Sequence, residues 1–421
     1  MGPRPAPLLL AAAVAVTAGC GSCGGETGGS RGTGAPAQGN AAGAGTVVAP
    51  AQVPPPSPWT FAPVRGPTGV AAPMHCRQRA PLLTAKVDVA THFAADARSL
   101  GGLVVAETTL DPPAVLRSGA LAIDAGGKTT PGTWVPWPFA RSAPLVARLG
   151  EQWAVAWEAP REEGMSEVAL HRGGRAEGLG VGDAFTAADL ACGAKRCALL
   201  TSRAARVAPS GADVVVFDGA ADALRTIVIE PGEDAGVMQP FGLAAVDGAR
   251  GPVAVLAGGG EAAFWSTEGE GAPAPFARVA VEHRMLDATL LGEVPVVMAH
   301  GNVVDEQGCA REGSDAAGAK IVLARPGMPA SEVRAPGAPS LGTLRPLEAG
   351  GLAVWLSPLG CGAERRVAYG VVLDRSGAPA GEPIPIGDAD TFVAASAGAE
   401  VDLWMRRAAE VIWVRLSCAA P

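Results

Sequence analysis

The residues of this chain best suited to chemistry are its eight cysteines: 20, 23, 76, 192, 197, 309, 361 and 418. A thiolate can be a nucleophile, bind a metal, carry a lipid or pair in a disulfide. Cys192 and Cys197 flank Gly193–Arg196, but a C-x4-C pair with no second pair and no nearby histidine is a poor zinc signature. The five histidines (75, 92, 171, 283 and 300) are scattered, and none forms a helix-spaced metal pair. His171 and His300 are expected at strand ends, as solvated side chains. "GGSRG" (28–32) has the G-x-S-x-G spacing of a hydrolase nucleophile, but no strand precedes it and no helix follows. No Walker loop is present.

Acidic groups gather in "AHGNVVDEQGCAREGSDAAGAK" (299–320), which holds Asp305, Glu306, Glu312 and Asp315. Oxygen-rich loops can take a cation or a partner, yet EF-hand spacing is absent. The plainer expectation is a solvated hairpin loop pinned by Cys309. The residues therefore predict no catalytic centre, no metal and no cofactor. With 33 Lys+Arg against 41 Asp+Glu and no basic stripe, nucleic-acid binding is excluded as well.

The first 19 residues read as a signal peptide. Arg4 supplies a positive charge, Leu8–Val16 a short apolar core, and Ala18 and Gly19 small residues before Cys20. The apolar stretch is too short for a membrane-spanning helix, and Gly, Pro or charge interrupts every later one. "VTAGC" resembles the lipobox of bacterial lipoproteins. The resemblance covers about the first 20 residues and implies that Cys20 becomes the lipid-bearing mature terminus. It also implies a cell-envelope protein joined to the membrane through that lipid. Gly21, rather than aspartate, follows the cysteine, and implies the outer membrane. Residues 20–58 are rich in Gly, Ala and Pro with almost nothing large to bury, and are expected to be a disordered tether. As a flexible coil it would span roughly 35 Å.

From Trp59 to the C-terminus the texture is that of an all-β protein. Only "TAADLACGAKR" hints at helical periodicity. A first set of apolar runs begins at Gly102, Trp153, Cys197, Val253, Val296, Leu352 and Val401, at steps of 43 to 56 residues. Each is followed by a partner run, at Ala120, Glu167, Val214, Ala262, Lys320, Gly370 and Val411. Seven strand pairs at this period predict a single β-propeller of residues 59–421, seven-bladed, with six or eight blades as neighbouring alternatives. Each blade would contribute two strong inner strands and two weaker outer ones, and the small residues of the runs suit the crowded centre. Two β-sandwich domains are the competing fold. They call for a mid-chain linker, but "EGEGAPAP" (268–275), the nearest candidate, reads as a blade-to-blade loop. Trp157, Trp265, Trp355, Trp404 and Trp413 fall in the runs and are expected to pack between blades rather than to stack on sugars.

The architecture orders the remaining cysteines. Setting aside Cys20 and the tether's Cys23, six lie in the folded part, an even number in an exported chain, and this predicts three disulfides. Cys192–Cys197 would close a turn, Cys309–Cys361 would join equivalent loops of adjacent blades, and Cys76–Cys418 would lock the ring where the termini meet. The functional expectation is a non-enzymatic, lipid-anchored module that binds envelope proteins. The alternatives are an envelope hydrolase acting on glycans or lactones, which needs paired carboxylates facing the channel, and a surface ligand sensor or adhesin.

Overall fold

The computed structural model describes residues 61–420 apart from 65–68, 81, 88–90, 97–99, 109–115, 124–127, 138–143, 151, 161–165, 173–174, 183–186, 194, 203–210, 219–223, 233–235, 245–250, 269–272, 283, 302–318 and 360–364. Among these residues there are thirty strands and no helix.

The strands form seven antiparallel sheets among the described residues. The first sheet holds β4 (Thr91–Ala94), β5 (Gly102–Thr108), β6 (Leu116–Ile123) and β7 (Thr129–Trp137). The second holds β8 (Leu145–Leu149), β9 (Gln152–Pro160), β10 (Ser166–Arg172) and β11 (Arg175–Gly182). The third holds β12 (Ala187–Cys192), β13 (Arg196–Ser202), β14 (Ala212–Asp218) and β15 (Arg225–Ile229). The fourth holds β16 (Gln239–Ala244), β17 (Val253–Gly258), β18 (Glu261–Ser266) and β19 (Pro275–Ala280). The fifth holds β20 (Arg284–Leu291), β21 (Val294–His300), β22 (Ala319–Arg325) and β23 (Met328–Ala335). The sixth holds β24 (Leu341–Leu347), β25 (Gly350–Pro358), β26 (Arg366–Leu373) and β27 (Ile384–Asp388). The seventh combines β28 (Thr391–Ala397), β29 (Glu400–Arg407) and β30 (Glu410–Cys418) with the N-terminal β1 (Ala62–Pro63), β2 (Cys76–Gln78) and β3 (Leu83–Lys86).

Six of these sheets are four-stranded meanders in chain order. From the second sheet to the seventh, the first strand of each touches the first strand of the next: β8 meets β12, then β16, β20, β24 and β28 in turn. Successive sheets stacked side by side with their first strands innermost make a β-propeller, and the two-sandwich alternative is ruled out. The ring closes in the seventh sheet. There β30 pairs with β29 on one side and with β3 and β2 on the other, so both ends of the chain build one sheet.

All seven predicted strand pairs fall within single sheets, as the second and third strands. Their legibility has a direct cause. A middle strand is covered on both faces by neighbouring sheets, so alternate residues serve two different cores. In β25, Leu352, Val354 and Leu356 pack toward the seventh sheet, whereas Ala353 and Trp355 pack toward the fifth. In β17, Val253 and Val255 face the fifth sheet, and Ala254 and Leu256 the third.

Two expectations need correction. The runs with small residues are not the strands nearest the axis; those are the first strands, which the sequence did not mark. "EGEGAPAP" runs from β18 to β19 within one sheet rather than between blades. The stretch nearest to helical periodicity, "TAADLACGAKR", holds β12 at Ala187–Cys192, in keeping with the all-β expectation. The tryptophans behave as expected. Trp157, Trp265, Trp355, Trp404 and Trp413 are all buried, with exposures of 3% or less, which excludes them as sugar-stacking platforms.

Polar ties supplement the apolar seams. The Arg225 guanidinium of the third sheet donates to the Thr267 carbonyl beside the fourth (2.8 Å). The Ala187 N–H donates to the Glu158 carboxylate of the second sheet (2.9 Å). Asp402, fully buried in β29, receives both Arg415 Nε and Nη2 (2.7 Å each) and the Gly101 N–H at the edge of the first sheet (2.5 Å). The arrangement spends one carboxylate on the closing sheet and on its junction with the next.

Candidate functional site

The first strands converge on a central cavity of about 170 Å³. Its lining comes from six sheets: Ala95, Leu145 and Val146, Asp189 to Ala191, Leu243, Asp287 to Thr289, and Arg345 with Pro346. Polar and apolar surface both contribute to the wall, and its charge is concentrated in Asp189, Asp287 and Arg345.

The two aspartates occupy equivalent places. Each sits just after an extra residue that bulges the first strand, between Ala187 and Asp189 in β12 and between Met285 and Asp287 in β20. A bulge re-aims the side chain that follows it. Asp189 then accepts the Leu190 N–H through Oδ1 (2.8 Å) and the Leu243 N–H of the next sheet through Oδ2 (2.7 Å). Asp287 repeats the pattern with the Ala288 N–H (2.8 Å) and the Leu344 N–H of the next sheet (2.6 Å), and adds the Thr343 hydroxyl (3.0 Å). Each carboxylate thus clamps one first strand to its neighbour. In β16 the matching bulged position is Gly242, and a methyl group there would lie 3.3 Å from Asp189 Oδ2.

The electrostatics of the pair differ. Arg345 Nη1 lies 3.6 Å from Asp287 Oδ2, while its Nε donates to the Ala394 carbonyl of the seventh sheet (2.8 Å). Among the described residues Asp189 makes no ion pair. Burial raises the Asp189 pKa to about 6, opposed by its two backbone hydrogen bonds. Burial raises Asp287 as well, with Arg345 and the backbone donors pulling the other way. No group of three or more His, Cys, Asp or Glu among the described residues is placed to hold a metal ion.

Sequence reasoning missed Asp189, Asp287 and Arg345. The available signal was slight: "ADLA" and "LDAT" each stand eight or nine residues ahead of a strong run. The residues that were singled out fare differently. Cys76–Cys418 and Cys192–Cys197 are disulfides, the first bridging strands β2 and β30 and the second the β12–β13 turn. Such bonds indicate an oxidising location outside the cytoplasm. His300 is buried and His171 half-buried, with the His171 pKa lowered by desolvation, so neither is the solvated side chain expected. Both lie at the ends of strands, His171 in β10 and His300 in β21. Cys20, Cys23, "GGSRG", Cys309, Cys361, Asp305, Glu306, Glu312 and Asp315 lie outside the described residues. No helix among the described residues is long and apolar enough to cross a membrane.

No family model matches the chain, and no curated protein matches it. Similar solved structures include the β-propeller domain of the Trilobed protease from Pyrococcus furiosus (8% identity, TM-score 0.42), covering 78% of this chain and 95% of that one. A prolyl endopeptidase structure is 15% identical (TM-score 0.43) over 82% of this chain and 49% of that one, so the chain spans about half its length. The six-bladed, fucose-recognising lectin of Aleuria aurantia is 10% identical (TM-score 0.37), covering 70% of this chain and 99% of that one. None of these likenesses carries an argument here, and the propeller assignment rests on the strand order and the contacts between sheets.

Proposed function

We propose that the chain is an exported, lipid-anchored β-propeller, seven-bladed, serving as a non-enzymatic interaction module in the bacterial cell envelope, with Cys20 carrying the lipid at the outer membrane. The observation that carries this reading is the place where the chain enters the ring. β1 is the outermost strand of the closing sheet, so the chain enters the ring at its outer edge and leaves the axial strands to the later sheets. A rigid ring of sheets presents its loops to partners. The channel carboxylates support a non-catalytic role, because both oxygens of Asp189 and of Asp287 are already engaged by backbone donors. A general acid–base pair needs carboxyls free to meet substrate.

The test is fractionation of cells producing the wild type and Cys20→Ala, joined to photo-crosslinking from positions on the loops. The wild type should incorporate labelled fatty acid, sediment with membranes and give discrete crosslinks to envelope proteins. Cys20→Ala should be soluble. If Cys20→Ala stays in the membrane fraction, or if no loop position crosslinks to any envelope protein, the reading is wrong.

A further inference from the structure

Between β1 and β2 the chain leaves the closing sheet, lies along the sixth sheet and returns. The Ala71 N–H donates to the Ile386 carbonyl of β27, the outermost strand of the sixth sheet (2.8 Å). Three glycines of that sheet and its β26–β27 connection make room for the segment. A methyl group on Gly370 would meet Pro73 at 2.9 Å, one on Gly381 would meet Met74 at 2.6 Å, and one on Gly387 would meet Val70 at 3.3 Å. Val70, Ala72 and Cys76 pack against the core shared by the sixth and seventh sheets. The chain then turns at Pro73–Cys76, where the Cys76 N–H donates to the Pro73 carbonyl (2.8 Å), and enters β2.

This strap is lightly packed and covalently pinned. Of residues 69–78 Pro73 alone is buried, whereas Met74, Arg77 and Gln78 are exposed. Few buried contacts mark a segment that opens locally while the rest stays folded. His75 has a φ of 71°, in the left-handed region that a residue with a side chain enters at a cost. Its carbonyl accepts the Ala419 N–H (2.7 Å), and the Cys76–Cys418 bridge fixes the chain on either side of that contact. The ring has an independent closure. β3 pairs with β30 from Leu83 to Lys86, and Leu83, Ala85, Trp404 and Trp413 share a core that excludes the strap.

The two disulfides differ in access. Cys192, Cys197 and Cys418 are each 3% exposed or less, but Cys76 is half-buried. Thiol–disulfide exchange requires a thiolate to reach a sulfur, so Cys76 is where a reductant can enter. We propose that residues 69–78 form a redox-controlled strap, closed on the sixth sheet while Cys76–Cys418 is oxidised and released when a dithiol reduces that bridge, the ring staying shut through β3. One thiolate of the dithiol attacks Cys76 Sγ, and the Cys418 thiolate leaves. The second thiol then attacks the dithiol's own sulfur in the mixed disulfide and frees the Cys76 thiolate. The dithiol gives two electrons and becomes a disulfide, and its two protons end on Cys76 and Cys418. Release uncovers the Ile386 carbonyl and the glycine-lined groove beside β27. The strap is separate from the anchoring and partner-binding role proposed above, and either can fail without the other.

The experiment is timed reduction of the purified folded chain with dithiothreitol, followed by alkylation of the freed thiols, mass spectrometry and hydrogen exchange on the same samples. Cys76 and Cys418 should become alkylated at least tenfold sooner than Cys192 and Cys197. Exchange over residues 69–78 should then quicken at least tenfold, with exchange in β3 and β25 unchanged, and reoxidation should restore the slow rate. Cys76→Ser should show the fast strap exchange without reductant; should that variant fail to fold, the reduced wild type still decides. Strap exchange unchanged after reduction, a Cys192–Cys197 bridge reduced as soon as the other, or exchange in β3 and β25 that quickens as much as in the strap would each overturn the proposal.

Discussion

Removing the Cys76–Cys418 disulfide should cost far more stability than removing Cys192–Cys197, although packing alone argues the reverse. Cys192 and Cys197 are both buried, whereas Cys76 is only half-buried opposite the buried Cys418. Truncating the two turn cysteines therefore deletes more core. The loops closed are very different: the bonded residues are 342 apart in the first bridge and 5 apart in the second. The chain-entropy relation gives about 6 kcal/mol for the first and about 2 kcal/mol for the second. For a domain of roughly 360 residues, each kcal/mol shifts the melting point by about 1.3 °C. Replacing the Cys76 and Cys418 pair by alanines should thus lower it by about 8 °C, and replacing the Cys192 and Cys197 pair by about 3 °C. Differential scanning calorimetry of both double variants, alongside the wild type without reductant, measures the difference. If the Cys192/Cys197 variant melts at or below the Cys76/Cys418 variant, ring closure through the seventh sheet is not what the long disulfide contributes.

Two further outcomes follow from the carboxylates of Asp189 and Asp402. Burial raises the Asp189 pKa to about 6, above the ordinary carboxylate value of 3.8, so its protonation favours the fold. That stabilisation is complete below about pH 4 and is lost as pH rises through 6. The shift corresponds to about 3 kcal/mol at most, reduced to about 1–2 kcal/mol where cavity water screens the charge; Asp287 acts in the same direction. Urea midpoints taken from pH 4 to 7 should fall with pH in the wild type and fall less in Asp189→Asn, and an identical slope in both would refute the assignment. Asp402→Ala should destabilise by about 3–5 kcal/mol, because it strands the Arg415 guanidinium that Asp402 binds through two 2.7 Å contacts. Adding Arg415→Met should recover much of that loss in denaturant titrations, and a double variant as weak as Asp402→Ala would count against the paired-charge explanation.

The chain's own pattern determines the class of fold and the repeat, and it locates the middle strands of every sheet. These strands are legible because both of their faces are covered. β25 has eight consecutive buried residues before Pro358, and such a run is apolar whichever neighbour it packs against. The outermost strands are hidden from sequence reasoning for the opposite reason. β15, with Arg225, Thr226 and Val228 exposed, carries little apolar signal. The pairing of Cys76 with Cys418 was also within reach, because a closed ring must bring its termini together, and a repeat predicts a ring.

The tertiary structure alone decided which strands line the axis and what their side chains do. Nothing local distinguishes Asp189 from any acidic residue near a turn. Its meaning comes from the Leu243 N–H, 54 residues away in sequence, and that of Asp287 from the Leu344 N–H, 57 residues away. Such bonds depend on the lateral stacking of whole sheets and on the bulges that turn the two carboxyls toward the next strand. Local sequence specifies strands through short-range burial patterns, whereas the cavity and its carboxylate clamps exist only once the first strands of successive sheets stand side by side.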